Sequence, residues 1–168
     1  GDKRAVEPLI GLIDEDEEGD NDLLIEALGK LGDKRAVEPL IILLDVEHEY
    51  LVKLVIKALK TLNDERAVEP LISLLDKERD GGQRGDPGRG GGIVRSVFEA
   101  LATIGGDRAT EGIEGLGYGP YSLDLRIVAL EQLVTLGKDE AFEELISMLK
   151  EGEKREKKAA AATLGSLG

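Results

Sequence analysis

The stretch Asp33-Lys34-Arg35-Ala36-Val37-Glu38-Pro39-Leu40 decides the fold, because the chain writes it three times. An identical copy runs from Asp2 to Leu9, and Asp64-Glu65-Arg66-Ala67-Val68-Glu69-Pro70-Leu71 differs only at Glu65. Arg4, Arg35 and Arg66 therefore recur at a spacing of 31 residues. A fixed period in this range means stacked supersecondary units, each too small to bury its own apolar faces. Laid out on that period, the units start at Gly1, Gly32, Asn63, Gly105 and Gly137, with Gly168 opening another. The expected organisation is one domain over 1–168, with repeats at 1–31, 32–62, 63–104, 105–136 and 137–167. Leu9 and Ile10 have the character of interior residues, so the chain reads as part of a longer array.

Each unit reads as two helices, A and B. Asp2, Asp33 and Asp64 stand where a carboxylate can accept the orphan amides of a helix start. In the second unit, Ala36, Val37, Leu40, Ile41, Leu43 and Leu44 follow a helical spacing rather than an alternating one. Pro8, Pro39 and Pro70 fall near the first turns of helix A, which predicts a bend or a late helix start. Helix B is clearest in Leu51, Leu54, Val55, Ala58, Leu59 and Leu62, and again in Leu125, Val128, Ala129, Leu133 and Leu136. The fold class is all-α: a solenoid of about five two-helix units.

Composition agrees. The 168 residues are 41% hydrophobic but only 3% aromatic, which suits thin layers of small helices over a core built on aromatic anchors. A net charge of −13 repels phosphate backbones and anionic membranes, disfavouring nucleic acid as a partner. The absence of cysteine removes disulfides, thiolate metal sites and a cysteine nucleophile. No apolar run is long enough to span a membrane and no secretory signal is visible, so a cytoplasmic protein is expected.

The unit Asp-x-Arg-Ala-Val-Glu-Pro-Leu, followed by Ala27-Leu28-Gly29-Lys30-Leu31-Gly32, resembles the HEAT-like repeat of the phycobilisome-lyase family. Ala100 to Gly105 and Thr163 to Gly168 are weaker copies of the same ending. Gly112 and Glu144 replace the proline in the fourth and fifth units, and the family's Val-Arg pair survives best as Leu125-Arg126 and Val94-Arg95. The resemblance implies an α-solenoid whose B helices line a concave face. It leaves chemistry open, because the family includes adaptors, bilin lyase subunits and a metal hydroxylase. That hydroxylase uses several His-Glu pairs, whereas this chain has a single histidine, His48 between Glu47 and Glu49. Such a site cannot be built here. No metal or other cofactor is expected, and the acidic run Asp14 to Glu18 reads as solvated charge.

Two places break the repeat. The third unit carries a Gly-rich insertion over 80–92, basic through Arg84 and Arg89 and close to Arg95. It lacks the lysine and the preceding strand of a phosphate-cradling loop, and reads either as a tolerated surface insertion or as a binding loop. Helix A of the fourth unit contains Gly112, Gly115 and Gly117 and exits through Tyr118-Gly119-Pro120-Tyr121. Tyr118 and Tyr121 beside the basic loop would form a recognition edge, since Arg and Tyr are enriched in interface hot spots. The helix B register implied by the resemblance sets Tyr50, Lys53, Lys57, Arg95, Glu99, Ile127 and Glu131 on the inner surface, beside Asp22, Glu26, Lys30, Asp124, Arg155 and Lys158. Mixed charge with scattered apolar residues suits a protein or peptide ligand. Lys150 to Lys158 reads as an exposed helical stretch tied by i,i+4 pairs. The expected function is a non-catalytic interaction scaffold. The resemblance also allows a chromophore-lyase subunit, and the repeat pattern allows a purely architectural segment.

Overall fold

Each copy of the Asp-x-Arg motif folds into the same device. In the computed structural model, which describes residues 2–13, 21–46, 48–81, 91–118 and 122–167, Asp33 is extended and its carboxylate accepts the Arg35 backbone N–H at 3.1 Å. A 3-10 turn follows over Lys34–Ala36, and the α-helix proper begins at Val37. Asp2 and Asp64 cap the turns Lys3–Ala5 and Glu65–Ala67 in the same way. The helix therefore starts late, and Pro39 is only its third residue. Its missing N–H falls among the donors that have no intrahelical acceptor, so the proline costs no hydrogen bond.

The helices succeed one another in pairs. They are α1 (Val6–Ile10), α2 (Asn21–Leu31), α3 (Val37–Ile42), α4 (Glu49–Leu62), α5 (Val68–Gly81) and α6 (Gly91–Ile104), then α7 (Asp107–Gly117), α8 (Leu123–Thr135), α9 (Asp139–Glu151) and α10 (Lys154–Leu167). No strand occurs among the described residues. Gly32, Asn63, Gly105 and Gly137 stand between pairs with φ of 66°, 48°, 72° and 78°. This left-handed residue after a helix reverses the chain, and glycine adopts it without a Cβ penalty. Asn63 is the described non-glycine residue that does so.

The chain divides into two compact units, Gly1–Gly106 and Asp107–Gly168. In the first, α4 lies between α2 and α6. That position buries Leu51, Val52, Val55, Ile56, Ala58, Leu59 and Leu62. The buried arc is wider than the predicted stripe: Val52 and Ile56 join it, and Leu54 stays half-exposed. Each fully buried Leu or Val contributes about 1.5–3 kcal/mol.

The first unit is also stitched electrostatically along its A helices. The Arg35 guanidinium forks onto Asp33 through Nε and Nη2, at 3.1 and 3.0 Å. Its remaining donors reach back to the preceding copy, to Glu7 Oε1 and the Lys3 carbonyl, both at 3.0 Å. Arg66 repeats this on Asp64, with Glu38 at 3.2 Å and the Lys34 carbonyl at 2.8 Å. Lys34 Nζ adds a contact to Asp64 at 3.4 Å. The hydrogen bonds from the Arg35 side chain and backbone hold the Asp33 carboxyl at about 2, and those from Arg66 hold Asp64 well below the usual carboxylate range.

The second unit is tied differently. Gly106 and Lys138 occupy the positions that align with Asp33, so the fork is absent. Lys138 instead pairs with Glu114 at 2.9 Å. Arg126 of α8 bonds Glu144 of α9 at 3.0 Å and approaches Glu156 of α10 at 3.9 Å, while Arg155 of α10 pairs with Asp124 at 3.1 Å. Helix α7 forms despite its glycines, and one of them packs closely against α8. A Cβ on Gly117 would lie 3.2 Å from Leu133 Cδ1.

Three expectations are corrected. The insertion expected over 80–92 is shorter, because α5 runs to Gly81 and α6 starts at Gly91; 82–90 lie outside the described residues, as does the acidic run Asp14 to Glu18. Lys150 to Lys158 is not one helix: α9 ends at Glu151, and the Glu153 N–H donates to Glu156 Oε2 at 2.8 Å at the start of α10. The predicted stripe of α8 buries Ala129 and Leu133 together with Leu130, leaves Leu125 and Val128 half-buried, and leaves Leu136 exposed.

Two outcomes follow from this architecture. Replacing Gly32 with Ala should cost about 1–2 kcal/mol in urea unfolding, whereas Asn63→Gly should stabilise, because only the former adds a Cβ to left-handed backbone. In acid, the depressed Asp33 carboxyl contributes stability that is complete above its unfolded pKa near 3.9 and is lost as pH falls through about 2. Urea midpoints measured across that window should fall less steeply for Asp33→Asn, which keeps a capping oxygen without the charge.

Candidate functional site

The B helices of the first unit form a face with two seams. At the seam of α4 with α6, Lys60 Nζ crosses to Glu99 Oε2 at 3.1 Å. Lys53 bonds Glu49 at 2.6 Å and lies over the start of α6, where a Cβ on Gly92 would meet its Nζ at 2.5 Å. This seam is bridged by the Lys60–Glu99 ion pair, Lys53 being paired within its own helix.

The seam of α2 with α4 is built differently at one position. Gly29 stands one period before Lys60, so the side chain that crosses the other seam is missing here. The backbones approach closely instead, since a Cβ on Gly29 would lie 3.1 Å from the Ala58 Cβ. A groove of about 80 Å³ remains, with Ile25, Gly29, Leu54 and Ala58 in its lining and Lys30 and Lys57 at its rim. Glu26 bonds Lys30 at 3.0 Å, and that bond first, with the charges of Lys30 and Lys57 adding, lowers its carboxyl pKa. Lys57 aligns with Glu99 of the closed seam, and the residue that would bridge to it is Gly29. Lys57 is exposed; its carbonyl accepts from Thr61 Oγ1, and its side chain makes no hydrogen bond or ion pair among the described residues.

The other sequence-predicted residues fall as follows. Tyr50, at the start of α4, is 56% exposed and stacks edge-to-face on His48 at 6.4 Å. Arg95 and Glu99 stand on α6, with Glu99 committed to Lys60. Ile127 and Glu131 are half-buried on α8 in the second unit. Tyr118 follows α7, and its hydroxyl pKa is pushed up by burial and by Glu140, Glu114 and Glu144, against the opposing charge of Lys138. Arg84, Arg89 and Tyr121 lie outside the described residues. A second hollow, of about 170 Å³, lies between α3 and α5 beside Ile41, Leu44, Pro70 and Leu74. Its ionic wall, Asp45 with Lys77, is already paired. Among the described residues no cluster of His, Asp and Glu is arranged to hold a metal ion, and no helix is long and apolar enough to cross a membrane.

The groove was missed in the sequence, although its signal was there. Gly29 belongs to the repeat ending that Gly165 also keeps, and Lys60 replaces it in the second unit.

Comparison with known proteins fits this architecture. The family of HEAT repeats matches residues 6–86. A chain of the complex of CpcE and CpcF of phycocyanin lyase from Nostoc sp. PCC7120 superposes with a TM-score of 0.60 at 27% identity over 98% of this chain. In sequence and in fold the chain is thus similar to HEAT-like repeat proteins of the phycobilisome-lyase type. It spans 65% of the length of that lyase chain. No curated protein matches it.

In these HEAT-like repeats the closed seam is held by half-exposed charges, so its coupling should be small. A double-mutant cycle on Lys60→Ala and Glu99→Ala should return at most about 1 kcal/mol, vanishing in molar salt. A larger, salt-resistant coupling would mean that the pair is shielded from water.

Proposed function

We propose that the chain is a non-catalytic protein-binding solenoid that receives a protein or peptide on the B-helix face of α2, α4 and α6. The observation that carries this is the contrast between two seams of one face. One bridges its charges with an ion pair, and the other keeps an apolar-floored groove beside Lys57, whose side chain makes no hydrogen bond or ion pair among the described residues. Exposed Tyr50 extends the apolar side of α4, and aromatic anchors of this kind dominate interface energetics. The stretch carrying Arg84 and Arg89 is the alternative site for the same role.

A second reading, a subunit of a chromophore lyase, is favoured by the likeness to a phycocyanin lyase chain that forms a complex with another chain. In that case the partner would be a second lyase subunit, with the acceptor thiol and the bilin supplied by others.

Capture with the intact chain, with Lys57→Glu and with 82–90 shortened to a tight turn separates the sites. Loss of a partner on Lys57→Glu alone supports the B-helix face, and loss on loop shortening alone moves binding to the loop edge. No partner for any of the three refutes a binding role. Covalent bilin on phycocyanin, formed only when this chain and a second subunit are both present, would establish the lyase reading instead.

A further inference from the structure

We propose that the groove between α2 and α4 takes an acidic, aliphatic peptide segment, one branched aliphatic side chain seated on Gly29 and Ala58 and a neighbouring carboxylate bound by Lys57. The inference rests on the B-helix face being the binding face and names the chemistry of its occupant.

The template is the protein's own closed seam. There, a lysine on one helix meets a carboxylate on the next at 3.1 Å, with the residue after that carboxylate, Ala100, fully buried. Lys60, Glu99 and Ala100 align with Gly29, Lys57 and Ala58 of the open seam. The open seam therefore retains the floor and one charged group, with the opposite charge deleted to a hydrogen. What completes it is a carboxylate arriving from outside together with an apolar group laid over the close Gly29–Ala58 contact, against Ile25 and Leu54.

The local charges set the sign. The carboxylate at the rim, Glu26, is held by Lys30 at 3.0 Å, so one of the two rim lysines is internally neutralised. Lys57 remains, which makes the groove locally cationic on a chain of net charge −13. A basic peptide meets repulsion from Lys57 and Lys30, and a neutral one leaves Lys57 hydrated at the rim without gain. The lining supports an aliphatic rather than an aromatic side chain. Ile25, Leu54 and Ala58 present only alkyl groups to it. A Leu or Val there removes its surface from water, while the ion pair contributes mainly selectivity.

The test uses fluorescein-labelled peptides of repeated Leu-Glu-Ala, Leu-Gln-Ala and Leu-Lys-Ala, titrated by anisotropy against the whole chain. Leu-Glu-Ala should bind best, with an affinity that falls as salt is raised, and Leu-Lys-Ala should not bind. Lys57→Glu should weaken Leu-Glu-Ala on the order of fivefold or more, while Lys150→Glu on the second unit leaves it unchanged. Lys57 is exposed, so the variant keeps its fold, which the thermal melt verifies. Equal binding of the Glu and Gln peptides, indifference to Lys57→Glu, or no binding at millimolar peptide would overturn the proposal. A native partner that is still captured in that event, and released by loop shortening, refutes the groove alone. Absence of both peptide binding and capture refutes the groove and the binding role together.

Discussion

A guanidinium that satisfies the carboxylate two residues before it still has donors left, and the first unit depends on where those donors go. Arg35 and Arg66 each close a fork on their own aspartate and spend the remainder on the glutamate and lysine carbonyl of the copy before. One motif thus caps a helix, orients an arginine and sets the spacing of neighbouring A helices. The geometry tolerates little change, because Arg is a rigid planar fork and Lys in its place would offer a single point charge. This accounts for three nearly identical copies of the motif in the sequence, where buried positions elsewhere vary freely among Leu, Ile and Val.

The B helices carry no such constraint. Their buried arcs need only apolar volume, and their outward positions are free to differ from copy to copy. Recognition in a repeat protein comes from those differences. The exchange of Lys60 for Gly29 at one period's distance illustrates it: the same two-helix seam is either bridged by an ion pair or opened into a groove, at the cost of one side chain. The A layer supplies register, and the outward positions of the B layer are free to vary.

The second unit shows what replaces the ladder when its aspartate is gone. With Gly106 and Lys138 at the fork positions, helix α7 starts without a 3-10 turn, and cross-helix ties move inward to Arg126, which spans α8, α9 and α10. The Nε of Arg126 is buried without a hydrogen bond among the described residues, a less complete solution than the forks of the first unit. The divergence of the motif and the change of tie coincide at the same residues.

The repeat period, the all-α class, the capping role of Asp2, Asp33 and Asp64 and the late helix starts at the prolines were legible in the sequence, because each rests on local geometry of a few consecutive residues. The breadth of the α4 arc was only half legible: Val52 and Ile56 are buried because α4 has a neighbour on each side, a fact that no single-helix pattern contains. The break between α9 and α10 was hidden by charges that look equally at home on one long helix. The Arg ladder and the open groove required the tertiary structure outright. Both depend on which side chains residues 28 to 39 positions apart present to each other, and that distance across a seam is set by helix packing rather than by the order of residues along the chain.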